Sequence, residues 1–136
     1  MAEAFANAYG PDVMRAESAG LTPAARVSSL ARMVMEEKGI SLSAQKTRGF
    51  GGMSLDGYDL IINMTGTVLP GASGTPVVKA LVRDPNGQDE LVHRQVRDRI
   101  EAIVEDLIQV LRLARMEQHG IANASARPLA AAVGAA

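Results

Sequence analysis

Tyr58-Asp59-Leu60-Ile61-Ile62-Asn63-Met64-Thr65 is the stretch whose reading decides the fold. Leu60, Ile61 and Ile62 are three consecutive apolar residues, two of them β-branched. A strand with one wet face alternates apolar and polar residues. A short continuous run reads instead as a strand covered on both faces, as in a parallel sheet. Gly57 and Gly66 bracket it. Strand-like and helix-like periods alternate on either side, which predicts βαβ units. Function is then expected at the carboxyl end of this strand, in the loops beyond Met64.

Working outward toward the C-terminus, a loop rich in Gly, Pro, Ser and Thr runs to Pro76, and Val77 to Val82 reads as the next strand. Asp84-Pro85-Asn86-Gly87 has the composition of a turn. Gln88-Asp89 opens a long helix, in which Val92, Val96, Ile100, Ile103, Leu107 and Leu111 share one face. Arg97, Asp98, Glu101 and Glu105 lie on its other face, and Gly120 ends it. Toward the N-terminus, Gly49 to Gly52 is a flexible joint and Ile40 to Arg48 is polar with isolated apolar anchors. Thr22-Pro23 reads as a helix start, with the helix running to about Lys38 and Gly39 closing it. Val13 to Ser18 is a strand, and Met1 to Tyr9 is a helix stopped by Gly10-Pro11. The fold class is α/β: a three-layer arrangement with a parallel sheet of three strands and helices on both faces.

At 136 residues the chain reads as one domain, spanning 1–120, followed by an Ala-rich tail, 121–136, expected to be disordered. Hydrophobic residues form 47 % of the chain, enough for a core, but aromatics only 3 %, so that core is aliphatic. A net charge of −1 gives no electrostatic footprint for nucleic acid or an anionic membrane, so neither is expected as a partner. No apolar run reaches membrane-spanning length and no signal peptide is visible, so a cytoplasmic protein is expected. There is no cysteine, which excludes disulfides, thiolate metal sites and a cysteine nucleophile within this sequence.

Several features invite functional readings and receive plainer ones. Gly49-Phe50-Gly51-Gly52 lacks the Lys and Ser/Thr of a nucleotide-binding loop and reads as a connection; Gly71 to Gly74 is no stronger. His93 and His119 stand 26 positions apart and read as surface residues, not metal ligands. Arg94, Arg97 and Arg99 interleave with Asp98 and Glu101, which reads as a solvated helix face. The seven methionines read as core filler. No cofactor and no metal are expected.

Taken together, Ser18-Ala19-Gly20, the run Lys38-Gly39-Ile40-Ser41-Leu42-Ser43 with the basic stretch Gln45 to Arg48, Asp59 to Thr65, Asp84 to Gly87, and Arg94 to Glu101 resemble the low-molecular-weight protein tyrosine phosphatases and their arsenate-reductase relatives. The resemblance covers Met1 to about Leu111. It implies a four-stranded parallel sheet of which three strands remain. It also implies a lineage of phosphate-monoester hydrolysis, acting on a phosphorylated protein or on small phosphate or arsenate. In that family, the phrase matching Met1-Ala2-Glu3 follows a C-x5-R-S loop, whose cysteine attacks phosphorus and whose arginine clamps the oxygens. This sequence begins just after that loop and also lacks the family's first strand, which lies mid-sheet between the strands matching Val13 to Ser18 and Tyr58 to Met64.

Asp84 is the candidate catalytic residue. The resemblance makes it the general acid that protonates the leaving oxygen. Composition alone makes it the first residue of a type I turn. Without a nucleophile, an inactive pseudoenzyme is expected. It is either a family domain incomplete at its N-terminus or a non-catalytic interaction or dimerisation module; an unrelated small α/β binding domain is the third reading. The missing strand would leave two strand edges unpaired, so self-association is expected.

Overall fold

The computed structural model describes residues 1–72 and 74–119, and the backbone course of 129–134. The elements run α1 (Ala2–Tyr9), β1 (Met14–Ser18), α2 (Ser29–Glu36), a 3-10 helix (Leu55–Gly57), β2 (Leu60–Asn63), β3 (Val77–Lys79), α3 (Glu90–His119) and β4 (Leu129–Gly134). The four strands form one sheet in the order β1-β4-β2-β3, and every pairing is parallel.

The run Leu60-Ile61-Ile62 behaves as its apolar continuity demands. Ile62 enters the main core with Phe5, Met14, Met35, Val96, Ile100 and others. Ile61 points into a second cluster with Leu55 and Leu69, flanked by Phe50 and Tyr58. Each face of β2 is therefore buried: one by the three α-helices, the other by the 3-10 helix and the loops around it. The strand reading of Val77 to Val82 is realised as β3 plus an extension. Ala80 N–H donates to the Asn63 carbonyl (2.9 Å) and Val82 N–H to the Met64 carbonyl (3.2 Å).

α1 forms because Ala2, Phe5, Ala6 and Tyr9 recur at helical spacing on an alanine-rich background. Gly10 ends it and permits close packing, since a Cβ there would lie 2.8 Å from Ile108 Cγ1 of α3. α3, 30 residues and about 45 Å long, buries Val96, Ile100, Val104 and Ile108 along one stripe. α2 starts later than its sequence suggests. Ser28, not Thr22, is the N-cap, its hydroxyl accepting from Ala31 N–H at 3.4 Å. Residues 21–26 are exposed, so no burial holds them helical despite Pro23. Gly39, at φ 73°, takes the left-handed position that stops the helix.

Three expectations need correction. The sheet has four strands, not three, because Leu129–Gly134 is a strand within the segment read as a disordered tail. Of the remainder of that tail, 121–128 and 135–136 lie outside the described residues. β4 stands between β1 and β2, pairing Met14 with Leu129 through Ser18 with Val133 on one side, and Leu60 with Ala131 through Asn63 with Gly134 on the other. The slot expected to be empty is thus filled, and the physical reason for expecting self-association there is removed. The physical cause is the backbone: two facing strand edges in the middle of a sheet leave paired rows of N–H and C=O groups, and an extended segment satisfies both at once. His93 and Arg97 are the other two corrections. Read as surface groups, they are 2 % and 7 % exposed. His93 Nδ1 sits 2.8 Å from the Asp89 carbonyl one turn back. Arg97 reaches under α2, where its guanidinium donates to the Val34 carbonyl (2.8 Å), Glu37 (2.6 Å) and Asp98 (2.8 Å).

Candidate functional site

The carboxyl ends of β1, β4, β2 and β3 line up along one edge, because Ser18 pairs with Val133, Gly134 with Asn63 and Asn63 with Lys79. At the β1 end, the first turn of α1 is tied to the sheet. Glu3 Oε2 accepts from both Ser18 N–H (2.9 Å) and Ser18 Oγ–H (2.6 Å). Glu17 beside it accepts from Tyr58 O–H (2.5 Å) and Arg48 Nη1–H (3.0 Å). Burial together with the Glu17 carboxylate pushes the Tyr58 phenol up to about 12. The same Tyr58 bond, with Arg48 nearby, holds the Glu17 carboxyl below its ordinary range.

Beyond β2 the loop folds around Asn63, which is 3 % exposed. Its Oδ1 accepts from Thr65 N–H (3.0 Å) and Thr65 Oγ1–H (2.8 Å), and its Nδ2–H donates to the Thr67 carbonyl (2.6 Å). A buried amide engaged at both its oxygen and its nitrogen fixes this loop. The role of Asn63 was not legible in the sequence, where it is one polar residue closing an apolar run.

Asp84 lies just past the extension of β3, on the same edge. It is exposed, and its Oδ1 accepts from Asn86 N–H at 2.9 Å. Gln88 N–H donates to the Pro85 carbonyl (3.0 Å), and Gly87 adopts φ 73°. These contacts are those of an Asx-type turn, so the turn reading of Asp84 accounts for every contact it makes.

Among the described residues, the Asp84 carboxylate bonds the Asn86 N–H and no hydroxyl nucleophile. Ser18 Oγ–H is engaged by a carboxylate, too weak a base to deprotonate a hydroxyl. The two histidines face backbone carbonyls of their own helix, Asp89 and Arg115, each at 2.8 Å. Among the described residues, no three His, Asp or Glu side chains converge as a metal site. Gly49 to Gly52 serves as a connection: Gly49 bridges to Gly20 in parallel, and Met53 N–H closes a turn onto the Phe50 carbonyl at 3.3 Å.

Comparison with known proteins gives this edge a lineage. Residues 1–72 match the family described as low molecular weight phosphotyrosine protein phosphatase. The chain is 35 % identical over 112 residues to the glutaredoxin arsenate reductase of Synechocystis sp., covering 79 % of this chain and 85 % of that protein. An arsenate reductase structure from Archaeoglobus fulgidus superposes with a TM-score of 0.68 at 33 % identity, covering 79 % of this chain and 87 % of that one. An arginine phosphatase from Geobacillus stearothermophilus gives 0.66 at 25 % identity, over 91 % and 89 %. The chain belongs to the low molecular weight phosphotyrosine protein phosphatase family, with arsenate reductases among its relatives.

Proposed function

We propose that a polypeptide of this sequence is a catalytically silent member of that family. The observation that carries this reading is the absence of any cysteine among the 136 residues, beside Ser18 and Thr65 hydroxyls that are already engaged. By the resemblance, the chemistry of the lineage is attack of a cysteine thiolate on a phosphorus or arsenic oxyanion, with an aspartate at the position of Asp84 as general acid. By the resemblance Asp84 would be that acid, but an acid alone has no covalent intermediate to resolve. The substrates of the lineage, a phosphorylated protein or small phosphate or arsenate, belong to forms that carry the nucleophile. A cytoplasmic location fits the same reading.

The experiment is an assay of pure protein against an aryl phosphate, phosphoarginine and, with a thiol reductant, arsenate, from acid to mildly alkaline pH. No turnover is expected. Hydrolysis or reduction that disappears when Asp84 or another residue of the chain is changed would overturn the reading.

Of the second reading, a non-catalytic interaction or dimerisation module, β4 favours the interaction half over dimerisation. With the middle of the sheet filled from within the chain, the domain has a complete hydrogen-bonded sheet to present to a partner.

A further inference from the structure

β3 is the outer strand of the sheet, and all three of its residues are exposed. Its extension alternates. Ala80 and Val82 turn their N–H groups inward to β2, so the N–H and C=O of Leu81 between them point to the open side. Neither Leu81 backbone group has a partner among the described residues, and its side chain is 69 % exposed. Beside this edge, between residues 81–83 and the first turns of α3, lies a cavity of about 200 Å³. Val82, Val92 and Val96 line it with apolar surface, while Arg83, Gln95 and Arg99 supply polar heads. Arg83 donates to Gln88 (3.0 Å). Arg99 has no hydrogen-bond or ion-pair partner among the described residues.

We propose that this edge and cavity dock an extended acidic segment of another protein, added as a strand along residues 77–81, with one apolar side chain in the cavity and carboxylates on Arg83 and Arg99. The cavity is smaller than the usual range for a drug-sized ligand and suits a single side chain. Strand addition supplies main-chain bonds that a small ligand could not. Charge selects the partner. An edge lysine such as Lys79 keeps like edges apart. A second copy pairing here in antiparallel register about Lys79 would bring that lysine against its own counterpart, whereas an acidic strand meets complementary charge.

The test uses the full chain and a short fluorescein-labelled peptide alternating Glu with Val and Leu, read by anisotropy. Binding that weakens with added salt is expected. The Arg83→Glu/Arg99→Glu variant, both positions being exposed, should bind about tenfold more weakly, with its melting curve confirming the fold. N-methylation of alternate peptide amides should abolish binding, which charge attraction alone would not. Absence of binding, equal binding of the same peptide with Lys for Glu, equal binding of an all-Glu peptide, or salt-independent affinity would each overturn the proposal.

Discussion

Arg97 shows how one side chain changes meaning between sequence and structure. It stands among charged neighbours on α3, yet its guanidinium lies beneath α2 and bonds the Val34 carbonyl. That carbonyl belongs to the last turn of α2, where the helix itself supplies no N–H for it, so the bond caps α2 from α3. Arg97→Ala would leave the carbonyl without this donor and Glu37 without its 2.6 Å partner. We expect a loss of about 2 kcal/mol in urea unfolding. Arg94 also grips Glu37 but on the surface, so Arg94→Ala should cost clearly less than Arg97→Ala. Equal losses would mean that burial is not what distinguishes them. The shared carboxylate makes a separate prediction. Hydrogen bonds from Arg94 first and Arg97 second hold the Glu37 carboxyl at about 2, below its ordinary 4.5. A carboxyl depressed by folding binds protons less readily in the folded chain than in the unfolded one. Its stabilisation is therefore full above pH 4.5 and is lost as pH falls toward about 2. Across that window the melting temperature of Glu37→Gln should fall less steeply than that of the unaltered chain. Parallel acid limbs would show that this pair does not contribute.

At the scale of elements, β4 decides the most. A segment whose residues are largely alanine has weak strand preference, and no amphipathic period marks it. It is a strand because β1 and β2 face each other with a gap that one extended backbone fills. A central strand donates to both neighbours, so a proline at any of its interior positions removes a ladder bond. Ala131, paired with Ala16 on β1 and Leu60 on β2, is the position to test. Ala131→Pro should lower the melting temperature by about 10 °C, equivalent to about 3 kcal/mol. An unchanged melting curve would return this segment to the role of a loose tail. α2 makes the opposite point. Thr22-Pro23 is a good start signal, but residues that bury nothing do not hold a helix, and the cap falls at Ser28.

For the whole molecule, the filled slot sets the expected assembly. With both inner edges paired, light scattering of the pure chain across a dilution series should report a single concentration-independent species of about 14 kDa. Mass that grows with concentration would mean that β4 leaves its place or that the β3 edge recruits a second copy. The candidate site edge follows the same logic of scale. Function in a parallel α/β sheet collects where the strands end, whatever chemistry is installed there. The edge here retains Asp84 and the ordered Asn63 loop.

What the sequence by itself determined is local and periodic. The apolar run Leu60 to Ile62 dictated a strand buried on both faces, because continuous apolarity leaves no face for water. The four-residue recurrence from Val92 to Leu111 dictated α3, and the composition of Asp84 to Gly87 dictated a turn. The missing cysteine determined the limits of the chemistry. Only the tertiary structure decided that His93 and Arg97 are buried, that Asn63 orders the loop beyond β2, and that Leu129–Gly134 is the strand between β1 and β2. The physical reason is common to all three. Burial of a polar group, and pairing of a strand with little preference of its own, depend on partners distant in the chain. Those partners are named by packing and backbone hydrogen bonds, not by any period within the segment itself.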